Sequence, residues 1–178
     1  MMTRQRWTLM AGGAMAAIFA VALTLRVLPE IALIGVGSRA PEFAAVDLRT
    51  GRPSGLADYR GRVVLLNIWA TWCLPCRVEM PAMERLAHRL ADTDFRIVAV
   101  SVDEADSTVV NAFAQELGLS FDILHDRTGS IQRFYQTTGV PESFVINREG
   151  SIVKKVIGAA AWDSPVNETI IRRLLDER

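Results

Sequence analysis

Val63–Pro81 reads VVLLNIWATWCLPCRVEMP, and the succession of patterns within it decides the fold. Val63 to Trp69 is a nearly continuous apolar run of strand length, the pattern of a strand buried on both faces. An amphipathic helical pattern follows from about Leu74 to Leu90, so Cys73-Leu74-Pro75-Cys76 lies at the junction between strand and helix. A thiol at a helix N-terminus faces backbone N–H groups that have no partner within the helix, together with the positive end of the helix dipole. Both favour thiolate and lower the pKa below the free value of about 8.5. Cys73 is therefore the better nucleophile. Cys76, one turn further in, is positioned to attack the sulfur of Cys73 and resolve a mixed disulfide. A purely structural disulfide is the alternative use of the pair, but so short a loop offers little entropic stabilisation.

Downstream, Arg96 to Val102 reads as a second buried strand, and Phe144–Ile146 and Ile152–Ile157 as two more joined by Asn147-Arg148-Glu149-Gly150. Helices are expected from Ser107 to Leu117, capped by Asp106 and stopped by Gly118, and from Ser130 to Gln136. A last helix starts at Pro165 behind the N-cap Ser164 and ends near Leu175. This alternation implies an α/β protein, a central sheet with helices on both faces. Upstream, Trp7 to Leu25 carries no charge over 19 residues, which as a helix reach about 28 Å, enough to cross a bilayer. Arg4 and Arg6 precede the run and Arg26 follows it, so the positive-inside rule sets the N-terminus in the cytoplasm and everything after Arg26 outside. A cleaved signal peptide is the competing reading, since Ala20-Val21-Ala22 offers a cleavage site. Residues 1–37 are accordingly expected to form a membrane anchor and linker, and residues 38–178 the folded domain, exported in either case.

Length, charge and cysteine count narrow the chemistry. The chain has 178 residues, enough for one domain with a full core. Twenty basic residues balance twenty acidic ones without a basic run, which argues against nucleic acid as a partner. Two cysteines cannot make a disulfide framework, nor supply the four ligands of a tetrahedral zinc site, and no metal is expected. His88 and His125 are read as surface histidines, and Asp103 and Glu104 lack any accompanying ligand pattern.

The string LLNIWATWCLPCRVEMP, with SVDE at 101–104, GVPESFVINREG at 139–150 and Gly158 after the following strand, resembles the thioredoxin superfamily and within it the membrane-anchored TlpA/ResA/CcmG branch. The resemblance covers nearly all of residues 40–178. It implies a thioredoxin-like fold with an insertion over the Asp103–Gly139 region, and a redox-active Cys73–Cys76 disulfide with no other cofactor. It also implies that Pro141 is cis and packs against the dithiol, leaving the backbone of Val140 free to pair with an extended substrate. The expected activity is thiol:disulfide exchange, in the direction of reduction. The expected location is the inner membrane, with the catalytic domain in the periplasm. The partners implied are a membrane electron donor and disulfide-containing clients, such as apocytochrome c or a copper-site subunit of a respiratory oxidase.

Thioredoxin carries a buried aspartate at the position of Asn67, which cannot relay a proton. Some members of the branch have a glutamate where Glu79 stands. Independently, at about 100° per residue, Glu79 falls within the apolar arc of Met80, Met83, Leu86, Ala87 and Leu90, whereas Arg77, Glu84, Arg85, His88 and Arg89 fall outside it. A carboxyl on that face, one turn from Cys76, is expected to have a raised pKa and to pass a proton to the thiol, unless it snorkels to water at the rim. Trp72 is read as an exposed contact for partners and Trp69 as core; Trp162 receives no role. Glu142 is expected either beside the docking surface, selecting substrates by charge, or as a solvated residue at a strand start. Three other activities remain open. They are an oxidase or isomerase of the same fold, a Cu(I)-binding chaperone using the two thiolates, and a peroxiredoxin-like peroxidase, although a peroxidatic cysteine ordinarily has a proline and threonine spaced differently from Thr71 and Cys73.

Overall fold

The computed structural model describes residues 33–177, and the expected membrane run at 7–25 lies outside them. Among the described residues no helix is long and apolar enough to cross a membrane. The strands are β1 (Ala45–Asp47), β2 (Pro53–Ser54), β3 (Val63–Trp69), β4 (Phe95–Ser101), β5 (Asp122–His125), β6 (Glu142–Ile146) and β7 (Ile152–Ile157). The helices are α1 (Leu74–Arg89), α2 (Ser107–Glu116), α3 (Ser130–Phe134) and α4 (Pro165–Asp176), with a 3₁₀ turn at Leu56–Tyr59. The elements read from the sequence are present, with ends moved by one or two residues. The hairpin β1–β2 was not foreseen, because strands of three and two residues carry no measurable alternation.

One mixed sheet has the order β2-β1-β5-β4-β3-β6-β7. β3 runs parallel to β4 and antiparallel to β6, so it is hydrogen-bonded along both edges, and all seven of its residues are buried. That explains the nearly unbroken apolar run, since neither face of β3 meets water. β4 and β5 are also parallel, connected through α2, while β6 and β7 form the closing antiparallel hairpin. The segment Asp103–Gly139 thus contributes β5 to the sheet between β4 and the β1–β2 hairpin. Residues before β1 are tied to β7, with Gly37 N donating to Ile152 O at 2.8 Å and Ile152 N to Ser38 O at 2.9 Å.

Ser164 caps α4 through its side chain on Asn167 N, and Asp106 caps α2 on Thr108 N, as their sequence positions imply. Gly55 has an ordinary extended backbone, but a Cβ there would stand 2.0 Å from the carbonyl oxygen of Phe43. The close approach is between two backbones, so no side chain can swing aside. Gly55→Ala is expected to cost about 1–3 kcal/mol, read as a lowered urea midpoint with unchanged slope; an unchanged midpoint contradicts this packing.

Candidate active site

β3 delivers the chain to the site. At its end Val102 N donates to Trp69 O at 2.9 Å, and Cys73 N donates back to Ala70 O at 3.2 Å, closing the turn that starts α1. Cys73 is the N-cap of α1, with extended backbone torsions, and its sulfur accepts a hydrogen bond from Cys76 N at 3.2 Å. Cys73 and Cys76 are joined as a disulfide. In this oxidised state both are buried, Cys73 being only 4% exposed, so the apolar surface around them belongs to Trp72 and Leu74, each 71% exposed. The N–H that reaches the Cys73 sulfur is the donor available to a Cys73 thiolate after reduction. Val140–Pro141 is a cis peptide, as the resemblance implies. Because Ile68 pairs with Glu142 across β3 and β6, Pro141 falls at the same end of the sheet as the turn into Cys73.

Glu79 lies on the inner face of α1, one turn after Cys76, and is 2% exposed, so the alternative of a rim carboxylate does not hold. Three donors hold it. Asn67 Nδ2 reaches Oε1 at 2.8 Å, while Ala160 N and Trp162 Nε1 reach Oε2 at 3.0 and 3.3 Å. Burial pushes its pKa up, and the Ala160, Asn67 and Trp162 hydrogen bonds oppose that rise without reversing it. Asn67 also donates to Ser143 Oγ at 2.9 Å, and its own Oδ1 accepts from no group among the described residues. If the Asn67 amide turned over, Oδ1 would face Glu79 and accept from a protonated carboxyl. The arrangement can therefore hold either form of Glu79 beside Cys76, which is what a residue exchanging a proton with a thiol requires.

Several expectations need correction. Glu142 is neither a docking-surface charge nor solvated: its side chain is 0% exposed, with Lys155 Nζ 2.8 Å from Oε1 and Thr138 N donating to Oε2 at 3.2 Å. It is the first residue of β6, but it pairs with Ile68 on one side and Ile157 on the other, so the sheet encloses it, and Lys155 is its diagonal neighbour on β7. His125 is 6% exposed, because β5 is held between β4 and β1, and its Nε2 lies 2.8 Å from Asp103 O. His88 is at the surface, paired with Glu84. Trp69 is core and Trp72 exposed, as expected. Trp162, to which the sequence assigned nothing, is fully buried and touches Glu79. Its indole N–H finds its acceptor in Glu79 Oε2, a pairing that no local pattern around Trp162 signals. Asp103 is buried and grips Thr71. Among the described residues no group of three His, Cys, Asp or Glu side chains is placed to hold a metal.

A thioredoxin-like sheet that ends in a disulfide at a helix start, opposite a cis-proline, defines a class of proteins that exchange thiols for disulfides. The comparisons agree. A family profile described as the AhpC/TSA family matches residues 36–155, and the chain belongs to that family. The thiol-disulfide oxidoreductase ResA of Geobacillus thermodenitrificans is 40% identical over 129 residues, covering 72% of this chain and 73% of the relative. ResA of Bacillus thuringiensis subsp. konkukian is 36% identical over 123 residues, 69% of this chain and 70% of that one. Among solved structures, a protein assigned as the thiol:disulfide interchange protein DsbE of Chlorobium tepidum superposes with a TM-score of 0.73 at 32% identity, covering 80% of this chain and 99% of that chain. The protein is a thiol-disulfide oxidoreductase of the ResA/DsbE type.

The raised pKa of Glu79 has a measurable consequence for stability. A carboxyl that holds its proton more tightly in the folded state favours folding below its unfolded pKa, and that contribution is lost as pH rises through the folded value. Glu79→Gln, which cannot ionise, should therefore gain in thermal stability relative to the parent as pH rises above the ordinary carboxylate range in the oxidised protein. A difference in Tm that does not change with pH would show that Glu79 pays no burial penalty.

Proposed function

We propose that the protein is an exported, membrane-anchored reductase of client protein disulfides. The observation that carries this reading is the pairing of a dithiol at a helix N-terminus with Glu79, a buried carboxyl of raised pKa one turn from the inner cysteine. Reduced Cys73, as thiolate, attacks one sulfur of a client disulfide; the other client sulfur leaves as thiolate and takes a proton. Cys76 then gives its proton to Glu79 and attacks the Cys73 sulfur, which releases the reduced client and forms the Cys73–Cys76 disulfide. Two electrons have passed from the dithiol to the client. Restoring the dithiol takes two electrons and two protons from a donor, and outside the cytoplasm the source proposed is a membrane protein that carries reducing equivalents across.

Trp72, Val140 and Pro141 form the proposed docking surface, with the Val140 backbone offered to an extended client segment and Trp72 supplying apolar contact. Export is supported by the uncharged run at 7–25 and the arginines before it. The clients proposed are proteins whose cysteines must be reduced before they take haem or copper, as for apocytochrome c and oxidase copper-site subunits. The Leu74-Pro75 pair between the cysteines, lacking the histidine of strongly oxidising relatives, favours the reducing direction.

In the full chain Cys76→Ser is expected to accumulate a mixed disulfide between Cys73 and a client, recoverable from the membrane fraction and released by dithiothreitol. Cys73→Ala is expected to lose single-turnover disulfide reduction altogether. Full activity in Cys73→Ala, or a trapped adduct on no protein with metal-binding cysteines, would sink the reading at the mechanism or at the client, respectively.

A further inference from the structure

The SVDE segment at 101–104 takes no part in the exchange steps above, yet it is built into the turn that carries Cys73. Asp103 is 2% exposed, and its carboxylate accepts three hydrogen bonds. Thr71 N reaches Oδ2 at 2.9 Å, Thr71 Oγ1 reaches Oδ1 at 2.6 Å, and Ser101 Oγ reaches Oδ2 at 2.7 Å. Hydrogen bonds to an ionised acceptor are roughly twice as strong as neutral ones, and here two of them close on one residue through both its backbone and its side chain. Thr71 lies two residues before Cys73 in the short connection from β3 to α1.

The anchor for this grip is itself held. Val102 N donates to Trp69 O, Asp126 N donates to Ser101 O at 2.9 Å, and His125 Nε2 meets Asp103 O at 2.8 Å. Asp103 therefore stands on a strand end fixed from β3 on one side and β5 on the other, and it transmits that rigidity to the loop. Asp103 is buried, and a buried carboxylate is costly unless hydrogen bonds replace the water it has lost. Asp103 is tolerated there because Thr71 and Ser101 supply the donors.

We propose that Asp103 is a positioning residue for the nucleophile: by clamping Thr71 it holds the Trp69–Cys73 turn so that the Cys73 sulfur stays on the Cys76 N–H at the start of α1. This rests on the reading of Cys73 as the attacking thiol. Misplacement of a reacting group by about 1 Å can cost about a hundredfold in rate, so holding this turn at both its ends bears directly on the nucleophile. Thr71→Val removes the hydroxyl but keeps the carboxylate and the backbone bond. Asp103→Asn removes the charge but keeps an acceptor for Thr71.

The test uses the reduced full-length protein and follows iodoacetamide alkylation of the fast thiol against pH, with thermal melts in parallel. The clamp predicts that Thr71→Val raises the pH midpoint by half a unit or more and slows reduction of a protein disulfide at neutral pH about tenfold. Thr71→Ser, which keeps the hydroxyl, should restore the midpoint and bring the rate back to within twofold, and the double variant Thr71→Val with Asp103→Asn should fall short of the sum of the two single effects, because both weaken the grip of Asp103 on Thr71. The field of the carboxylate acting alone predicts the opposite pattern, with Thr71→Val silent and Asp103→Asn lowering the midpoint, and that result overturns the proposal. Loss of Tm in Thr71→Val with an unmoved midpoint reduces Asp103 to a structural role and overturns it as well. Mass mapping of the alkylated cysteine tests separately whether Cys73 is the reactive thiol, since a shift in midpoint reports on the clamp whichever sulfur reacts.

Discussion

The arrangement of this domain turns on one buried carboxyl. Among the described residues no cation pairs with the buried Glu79, and an ionised carboxylate in that position is stable only if hydrogen bonds replace water. The donors come from other elements: Asn67 within β3, and Ala160 and Trp162 in the connection before the last helix. Meeting the demand of Glu79 therefore fixes α1 against β3 and fastens the C-terminal part of the chain over both. The same demand sets the local chemistry. Three donors are too few to cancel the effect of burial, so the carboxyl remains a stronger base than an exposed one, beside the cysteine that has to lose a proton.

The two cysteines are distinguished by their depth along the helix. Cys73 is the cap, where the backbone N–H of Cys76 is free to meet its sulfur; Cys76 is inside the first turn, fully buried, and closer along the helix to Glu79. One thiol is thereby stabilised as thiolate by backbone donors, and the other depends on a neighbouring base. That asymmetry separates attack from resolution. Around the pair, Trp72 and Leu74 expose apolar surface that the fold itself does not use. Glu142 contributes no charge to that surface, because Lys155 holds it within the sheet.

What could be read from the residues was whatever depends on local period or spacing. The buried strand from Val63 to Trp69, the helix start at the cysteines, the caps Asp106 and Ser164, and the inward angle of Glu79 all follow from residues within a few positions of one another. Glu142, His125, Trp162 and Asp103 were misread or left without a role for a common reason. Each owes its burial or its partner to a strand or loop distant in sequence: Lys155 across the β6–β7 ladder, β1 and β4 around His125, Glu79 beneath Trp162, and Thr71 against Asp103. Local pattern is silent on such contacts, and only the assembled sheet and the segments packed on it bring these residues to their partners. The cis-proline belongs to a third kind, since neither spacing nor periodicity signals it, and it was anticipated through the family resemblance alone.

The chemistry of the site is that of a thiol-disulfide oxidoreductase, and the direction of electron flow is the claim on which the proposed role rests. The most direct measurement is the reduction potential of the Cys73–Cys76 couple, obtained by equilibrating the full chain at neutral pH with defined dithiol or glutathione buffers and quantifying the oxidised fraction. The account predicts a value near that of thioredoxin, about −270 mV, or lower. A potential near about −120 mV, that of a strong disulfide donor, would contradict it.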